Sequence, residues 1–234
     1  ISSGKSFDFG DVKVNYYDHG FNSMINFEFK KSAEGSYETI FSTYSDTLNN
    51  AISGFQVLNY LTSHDDSSPF DKERKKPYET ATKLLLSPGT AQIYYGDESA
   101  RGLIIEGTQG DATFRSFMNW DDIKTDQETQ NVLRHWQKLG KFRSSHPSIG
   151  AGSHQMISDA PYVFQRTFTK GDFTDVVVIG LDLEKGLKSI SVGSVFKDGT
   201  TLRDAYSGTT ALVKNNAVSI ESPFSTVLLE EIGS

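Results

Sequence analysis

The chain has 234 residues, a formal net charge of -7 at pH 7, 36% hydrophobic and 23% charged residues, and no cysteine. That length can bury a substantial core in one large or two modest domains. The negative balance argues against nucleic acid or an anionic membrane as partner, both of which need clustered Lys and Arg. No apolar stretch is long enough for a membrane span, and without cysteine there is no disulfide, thiol nucleophile or thiolate metal site.

The chain opens Ile1-Ser2-Ser3-Gly4, with no Met, basic segment or signal-like run, and reads as a processed or excised piece. Phe21 to Phe29 alternates apolar and polar residues in its second half and predicts a strand. From Tyr37 to Asn50, Tyr37, Ile40, Phe41, Tyr44 and Leu48 recur at helical spacing. Gly54 punctuates, and Leu58 to Asp66 then forms an apolar, β-prone run that breaks abruptly into carboxylates. Pro77 to Leu86 predicts a helix, because Pro77 is tolerated in a first turn and Tyr78, Ala81, Leu84 and Leu85 share one face. Glu79 and Lys83 are spaced for an i,i+4 pair. Ala91 to Glu98 is a second apolar run ending in acids, so the two runs frame one strand-helix-strand unit with ionisable groups at both strand ends.

A long connection covers Ser99 to Asp122, of a size that is uncommon unless it serves a site. Thr125-Asp126-Gln127-Glu128 reads as a capping box for a helix burying Val132, Leu133, Trp136 and Leu139. Near residue 150 the pattern changes to short strands separated by turn signals: 162 to 168, 176 to 183, 189 to 192, 201 to 204, 217 to 220 and 225 to 230. This predicts an α/β domain over residues 1–149 and an antiparallel β-sandwich over 150–234.

The five histidines are scattered, and HExxH, GxSxG and GxxxxGK are all missing, so no metal site or cofactor is expected. Glycoside chemistry is the enzyme class with positive support. It needs two carboxyl groups about 5 to 10 Å apart, one protonated and one ionised, with neighbours that hold the sugar. His64 beside Asp65 suits a supporting role, although on its own the dipeptide reads first as a strand-to-loop cap.

Leu61-Thr62-Ser63-His64-Asp65-Asp66, Gln92-Ile93-Tyr94-Tyr95-Gly96-Asp97-Glu98 and Arg115-Ser116-Phe117-Met118-Asn119-Trp120, in this order, resemble the late motifs of the α-amylase family of retaining glycoside hydrolases. Gly20 to Phe27 resembles that family's sixth-strand segment, and TLRDAYSG (201–208) and PFSTVLLE (223–230) resemble strands of its C-terminal β-sandwich. The resemblance covers nearly the whole chain. It implies the last three or so βα units of a TIM (β/α)8 barrel followed by the sandwich. It implies that Asp65 is the transition-state stabiliser, that His64 binds sugar hydroxyls and that Asp66 is a substrate-side neighbour. Tyr95, Gly96, Asp97 and Glu98 would shape the rim, Arg115 would anchor the long loop and Trp120 would pack. Ser116-Phe117 departs from the family, which often has Pro there.

The family's nucleophilic Asp in a G-x-R-x-D setting and its acid Glu have no counterpart in the chain. Leu202-Arg203-Asp204, the nearest look-alike, lacks the preceding Gly and falls in the sandwich. The resemblance therefore implies a silent chain whose partners are an α-glucan and a missing N-terminal half of the same enzyme, with self-association of the open barrel edge. The family also suggests a secreted or periplasmic bacterial protein. A non-catalytic reading stays open, in which Tyr162, Phe164 or Tyr206 of the sandwich binds glucan.

Overall fold

A computed structural model describes residues 7–65, 68–193 and 195–232. They form two compact units, Ile1–Gly140 and Lys141–Ser234.

The first unit opens with an antiparallel pair, β1 (Phe7–Asp8) and β2 (Lys13–Val14), and a 3-10 turn over Tyr16–His19. Then follow β3 (Ser23–Asn26), α1 (Phe29–Ser32), α2 (Tyr37–Asp46) with a π turn over Thr47–Ala51, β4 (Gln56–Asn59), α3 (Pro77–Leu86) and β5 (Thr90–Ala91). β3, β4 and β5 are parallel in that order, with Met24 opposite Val57 and Leu58 opposite Thr90. Helices lie in sequence between successive strands, which is the arrangement expected of consecutive βα units.

Local chemistry explains the elements. Ser36 caps α2 by accepting the Thr39 N–H at 3.2 Å, and Ile40, Phe41 and Tyr44 turn inward. α3 starts at Pro77, whose missing N–H costs nothing in a first turn, and buries Ala81, Leu84, Leu85 and Leu86. The Glu79–Lys83 pair forms at 2.6 Å, but Lys83 is buried, and its Nζ also donates to the Ala33 and Gly35 carbonyls at 2.5 and 3.0 Å. It closes the turn between α1 and α2. Inside the sheet, Asn26 and Asn59 stand side by side. Asn26 Nδ2 donates to Asn59 Oδ1 and to the Tyr44 hydroxyl, both at 2.9 Å, and Asn59 Nδ2 donates to the Pro88 carbonyl at 2.9 Å. This buried amide chain ties β3, β4 and the entry to β5 together.

The strands are shorter than the sequence predicts. β4 ends at Asn59 and β5 at Ala91; the Gln92 N–H still donates to the Asn59 carbonyl at 2.8 Å, and Tyr60–Ser63 and Ile93–Tyr95 run on outside the named strands. The first strand likewise stops before Phe29, which instead starts α1. Beyond β5 come 3-10 turns at Asp97–Ser99 and Gly110–Phe114, then α4 (Trp120–Thr125) and α5 (Gln127–Ser145). The cap of α5 is Asp126, whose Oδ2 accepts the Thr129 N–H at 2.7 Å. Thr125 belongs to α4 and donates to the Asp121 carbonyl.

The second unit contains α6 (Pro147–Ala151), β6 (Ser153–Ser158), β7 (Tyr162–Lys170), β8 (Phe173–Leu181), β9 (Gly186–Ser191), β10 (Thr201–Asp204), β11 (Thr210–Leu212), β12 (Ala217–Ser222) and β13 (Val227–Glu231). An antiparallel sheet in the order β11-β10-β13-β8-β7-β6 and a two-stranded β12-β9 sheet share one core. Val163, Val178, Leu202, Val227 and Leu229 of the larger sheet pack with Ile190, Val218 and Ile220 of the smaller. Burying each such side chain contributes about 1.5 to 3 kcal/mol. The sandwich expected after the α/β part is therefore present.

Polar contacts finish this unit. Both ring nitrogens of His146, just ahead of α6, face carboxylates: Asp175 Oδ1 at 2.8 Å and Glu230 Oε2 at 2.7 Å. Asp204, the nucleophile look-alike, is fully buried and accepts the N–H groups of Tyr206, Ser207 and Leu228. It is a structural carboxylate with no exposed edge.

Candidate functional site

The site builds outward from the end of β4. Beyond Asn59 the chain stays buried through Tyr60, Leu61, Thr62 and Ser63, then surfaces at His64 and Asp65. The Phe70 N–H donates to the Leu61 carbonyl at 3.0 Å and closes the excursion. Ser63 Oγ donates to Asp65 Oδ1 at 2.7 Å, and His64 Nε2 lies 3.9 Å from Asp65 Oδ2. The Ser63 hydroxyl, helped by the charges of His64 and Arg115, holds the Asp65 carboxyl below its ordinary value. An exposed carboxylate that remains ionised can stabilise positive charge developing next to it. Asp66 lies outside the described residues.

Arg115 reaches this turn from the long loop, its Nε donating to the His64 carbonyl at 3.0 Å. Its side chain is half exposed and also faces Asp111 at 3.6 Å. The deeper anchor is Arg101, which the sequence reading passed over. Arg101 is 1% exposed. Its Nε and Nη2 donate to the Tyr95 carbonyl at 3.1 and 2.9 Å, Nη1 donates to the Ser116 carbonyl at 2.9 Å, and the guanidinium sits 4.0 Å from the Tyr95 ring centre. Gly96 makes room for it. Gly96 has φ +84°, and a Cβ there would lie 2.4 Å from Arg101 Nε.

Asp97 is equally buried. Arg74 Nη2 donates to its Oδ1 at 2.6 Å while Arg74 Nε donates to the Arg101 carbonyl at 2.8 Å. Burial pushes the Asp97 carboxyl up, and Arg74 and the Thr62 hydroxyl pull against that. Glu98 accepts the Gly96 N–H at 2.9 Å. The Tyr94 and Tyr95 hydroxyls donate to the Phe114 and Ser116 carbonyls at 3.0 and 2.8 Å. Burial, with Tyr95 alongside, pushes the Tyr94 phenol up to about 12. Asn119 pairs with Ser99 in both directions, at 2.7 and 3.1 Å.

Residues 94–101 and 114–119 are thus laced into one platform, attached to the His64–Asp65 turn through Arg115. Trp120 departs from expectation. It is 61% exposed at the start of α4, because the residues before it are fixed by their own bonds and leave its ring outside. Phe117 projects in the same loop, 97% exposed. Of the sandwich aromatics, Phe164 and Tyr206 are buried, so they belong to packing. Among the described residues no group of three or more His, Cys, Asp or Glu could hold a metal ion, and no helix is long and apolar enough to cross a membrane.

No family model matches the chain. It is 37% identical over 157 residues to the periplasmic alpha-amylase of Escherichia coli (strain K12), a match covering 66% of this chain and 22% of that protein. The α-amylase of Anoxybacillus shares its fold with a TM-score of 0.64 at 20% identity, over 94% of this chain and 49% of that one. The Geobacillus thermoleovorans α-amylase, solved with acarbose, gives 0.62 at 18% identity, over 93% and 50%. The chain thus spans about half the length of these structural relatives and less of the curated one. In sequence over about two thirds of its length, and in fold over nearly all of it, the chain is therefore similar to α-amylases, as late barrel units followed by the antiparallel sandwich.

Proposed function

We propose that this chain supplies part of the active site of a retaining α-glucan hydrolase: Asp65 as the transition-state-stabilising carboxylate, His64 as a sugar-hydroxyl ligand and Asp66 as their substrate-side neighbour. One observation carries the reading. Asp65 is exposed, held ionised and fixed by Ser63 in the turn that follows the central parallel strand, in a chain similar to α-amylases. Tyr95, Gly96, Asp97, Glu98 and Arg115 form the supporting rim. The acarbose bound by the Geobacillus thermoleovorans relative supports an α-glucan as substrate, and the periplasmic relative supports a periplasmic or secreted location. In this reading residues 1–149 are the barrel part and 150–234 the sandwich.

Asp65 can stabilise charge but does not attack or protonate. The nucleophile and acid are supplied by the part of the relatives that this chain does not span, because a covalent glycosyl-enzyme needs the first and a departing oxygen needs the second. The 234-residue chain alone is therefore expected to release no reducing sugar from soluble starch or maltooligosaccharides. Turnover that Asp65→Asn abolishes would overturn this.

The exposed edge of the parallel sheet has a structural consequence. Among the described residues β3 has a hydrogen-bonded neighbour on one side in its sheet, and Ile25, Phe27 and Ile93 are 49%, 70% and 48% exposed. Open strand edges with apolar neighbours recruit other chains. Light scattering after size exclusion is expected to find dimers or larger species, and a monodisperse monomer at micromolar concentration would contradict it.

A further inference from the structure

From the geometry of the turn after β4 we infer that Ser63 is a positioning residue, which fixes one oxygen of Asp65 so that the other edge of the carboxylate is presented to the substrate. The inference rests on the functional reading of Asp65 above and assigns a role to a neighbour that the reading does not use.

Ser63 is suited to this by where it stands. It is 8% exposed and follows Leu61 and Thr62, which are 0% and 1% exposed, so its backbone belongs to the packed interior. Asp65, two residues on, has a side chain that is 58% exposed. A carboxylate that far into solvent ordinarily samples several rotamers at little cost. Here Oδ1 accepts from Ser63 Oγ at 2.7 Å, a charge-assisted bond anchored in the rigid part of the turn. Oδ2 is left toward His64, 3.9 Å away. The turn is fixed from outside as well, since Arg115 Nε holds the His64 carbonyl at 3.0 Å. The two oxygens therefore have different duties: Oδ1 is held by Ser63, and Oδ2, on the His64 side, is the edge offered to developing positive charge. A group that is already oriented needs no reorganisation when that charge appears. The same bond is the largest influence holding the Asp65 carboxyl below its ordinary value, so orientation and ionisation come from one hydroxyl.

The test is a carboxyl-carbon NMR titration of Asp65 in the 234-residue chain. Ser63→Ala is expected to move the Asp65 midpoint upward, and Ser63→Thr, which keeps a hydroxyl, to bring it back. Ser63→Cys, nearly isosteric and a weaker donor, is expected to shift it upward too and serves if the alanine variant does not fold. Unchanged midpoints in both Ser63→Ala and Ser63→Cys would overturn the inference. The outcome is separable from the functional reading, which fails instead if Asp65→Asn in the enzyme reassembled with its nucleophile-bearing part leaves starch hydrolysis intact.

Discussion

Replacing Arg74 by Met is expected to destabilise the first unit by about 3 to 5 kcal/mol, the loss typical when one partner of a buried ion pair is removed. Arg74 and Asp97 have side chains only 8% and 1% exposed, with 2.6 Å between Nη2 and Oδ1. Removing the guanidinium strands a carboxylate in the interior and also releases the Arg101 carbonyl, which Arg74 Nε satisfies. Arg74 has φ +56°, a conformation that a non-glycine residue keeps only when its surroundings enforce it. Arg74→Gly removes the same contacts but relieves that backbone, so it is expected to cost about 1 kcal/mol less than Arg74→Met. The pH dependence is also determined. Burial already raises the Asp97 carboxyl, and loss of Arg74 raises it further. The unfolded chain then ionises first, so the deficit relative to the parent chain grows as pH rises above the ordinary Asp range and is smallest in acid. Urea denaturation followed by tryptophan fluorescence measures this directly, because both tryptophans, Trp120 and Trp136, lie in the first unit. A deficit below about 1 kcal/mol at pH 7 would refute the argument.

The Arg74–Asp97 pair also marks a limit of what residue patterns reveal. Helices with a continuous apolar face were legible: α2 starts at Tyr37 and α3 spans Pro77–Leu86, as their periodicity predicts. So were the sandwich strands with alternating burial, such as Thr201–Asp204. β6 and β11 were missed because their side chains are mostly exposed or half buried, which leaves no inward stripe to read. α4 was hidden in the long connection because it buries none of its residues. In the candidate site, His64, Asp65 and the Tyr95–Glu98 run stand out in the sequence because apolar segments break there into acids. Arg74, Arg101 and Ser63 do not. Their partners lie 23, 15 and 2 residues away, and a lone basic residue in a loop looks the same whether it is solvated or carries the loop. The signal available was compositional: an arginine five residues beyond a glycine that follows two tyrosines, where only a residue without Cβ leaves space for a guanidinium.

Acid should weaken the first unit through His135 before most carboxylates titrate. This imidazole is 4% exposed, with Nε2 3.1 Å from Thr82 Oγ1 and 3.2 Å from the Tyr78 carbonyl. Burial pushes it down to about 4 from an ordinary 6.5, with Lys138 adding to the effect and the Tyr78 carbonyl opposing it. Above pH 6.5 the ring is neutral in folded and unfolded chains alike, so stability does not depend on it. As pH falls from about 6.5 to about 4, the unfolded chain takes up a proton that the folded chain refuses, and folding loses about 3 kcal/mol. Below about 4 both forms are protonated and this contribution levels off. Thr82 and Tyr78 lie on α3 and His135 lies on α5, so the destabilised contact is the one joining those helices. The check compares urea midpoints of the parent chain and His135→Gln at steps from pH 7.5 to 4, read by tryptophan fluorescence. Whatever the starting stability of the Gln variant, the slope decides: the parent should lose stability faster than the variant through pH 6.5 to 4. Parallel curves would show that the buried imidazole does not govern the acid limb.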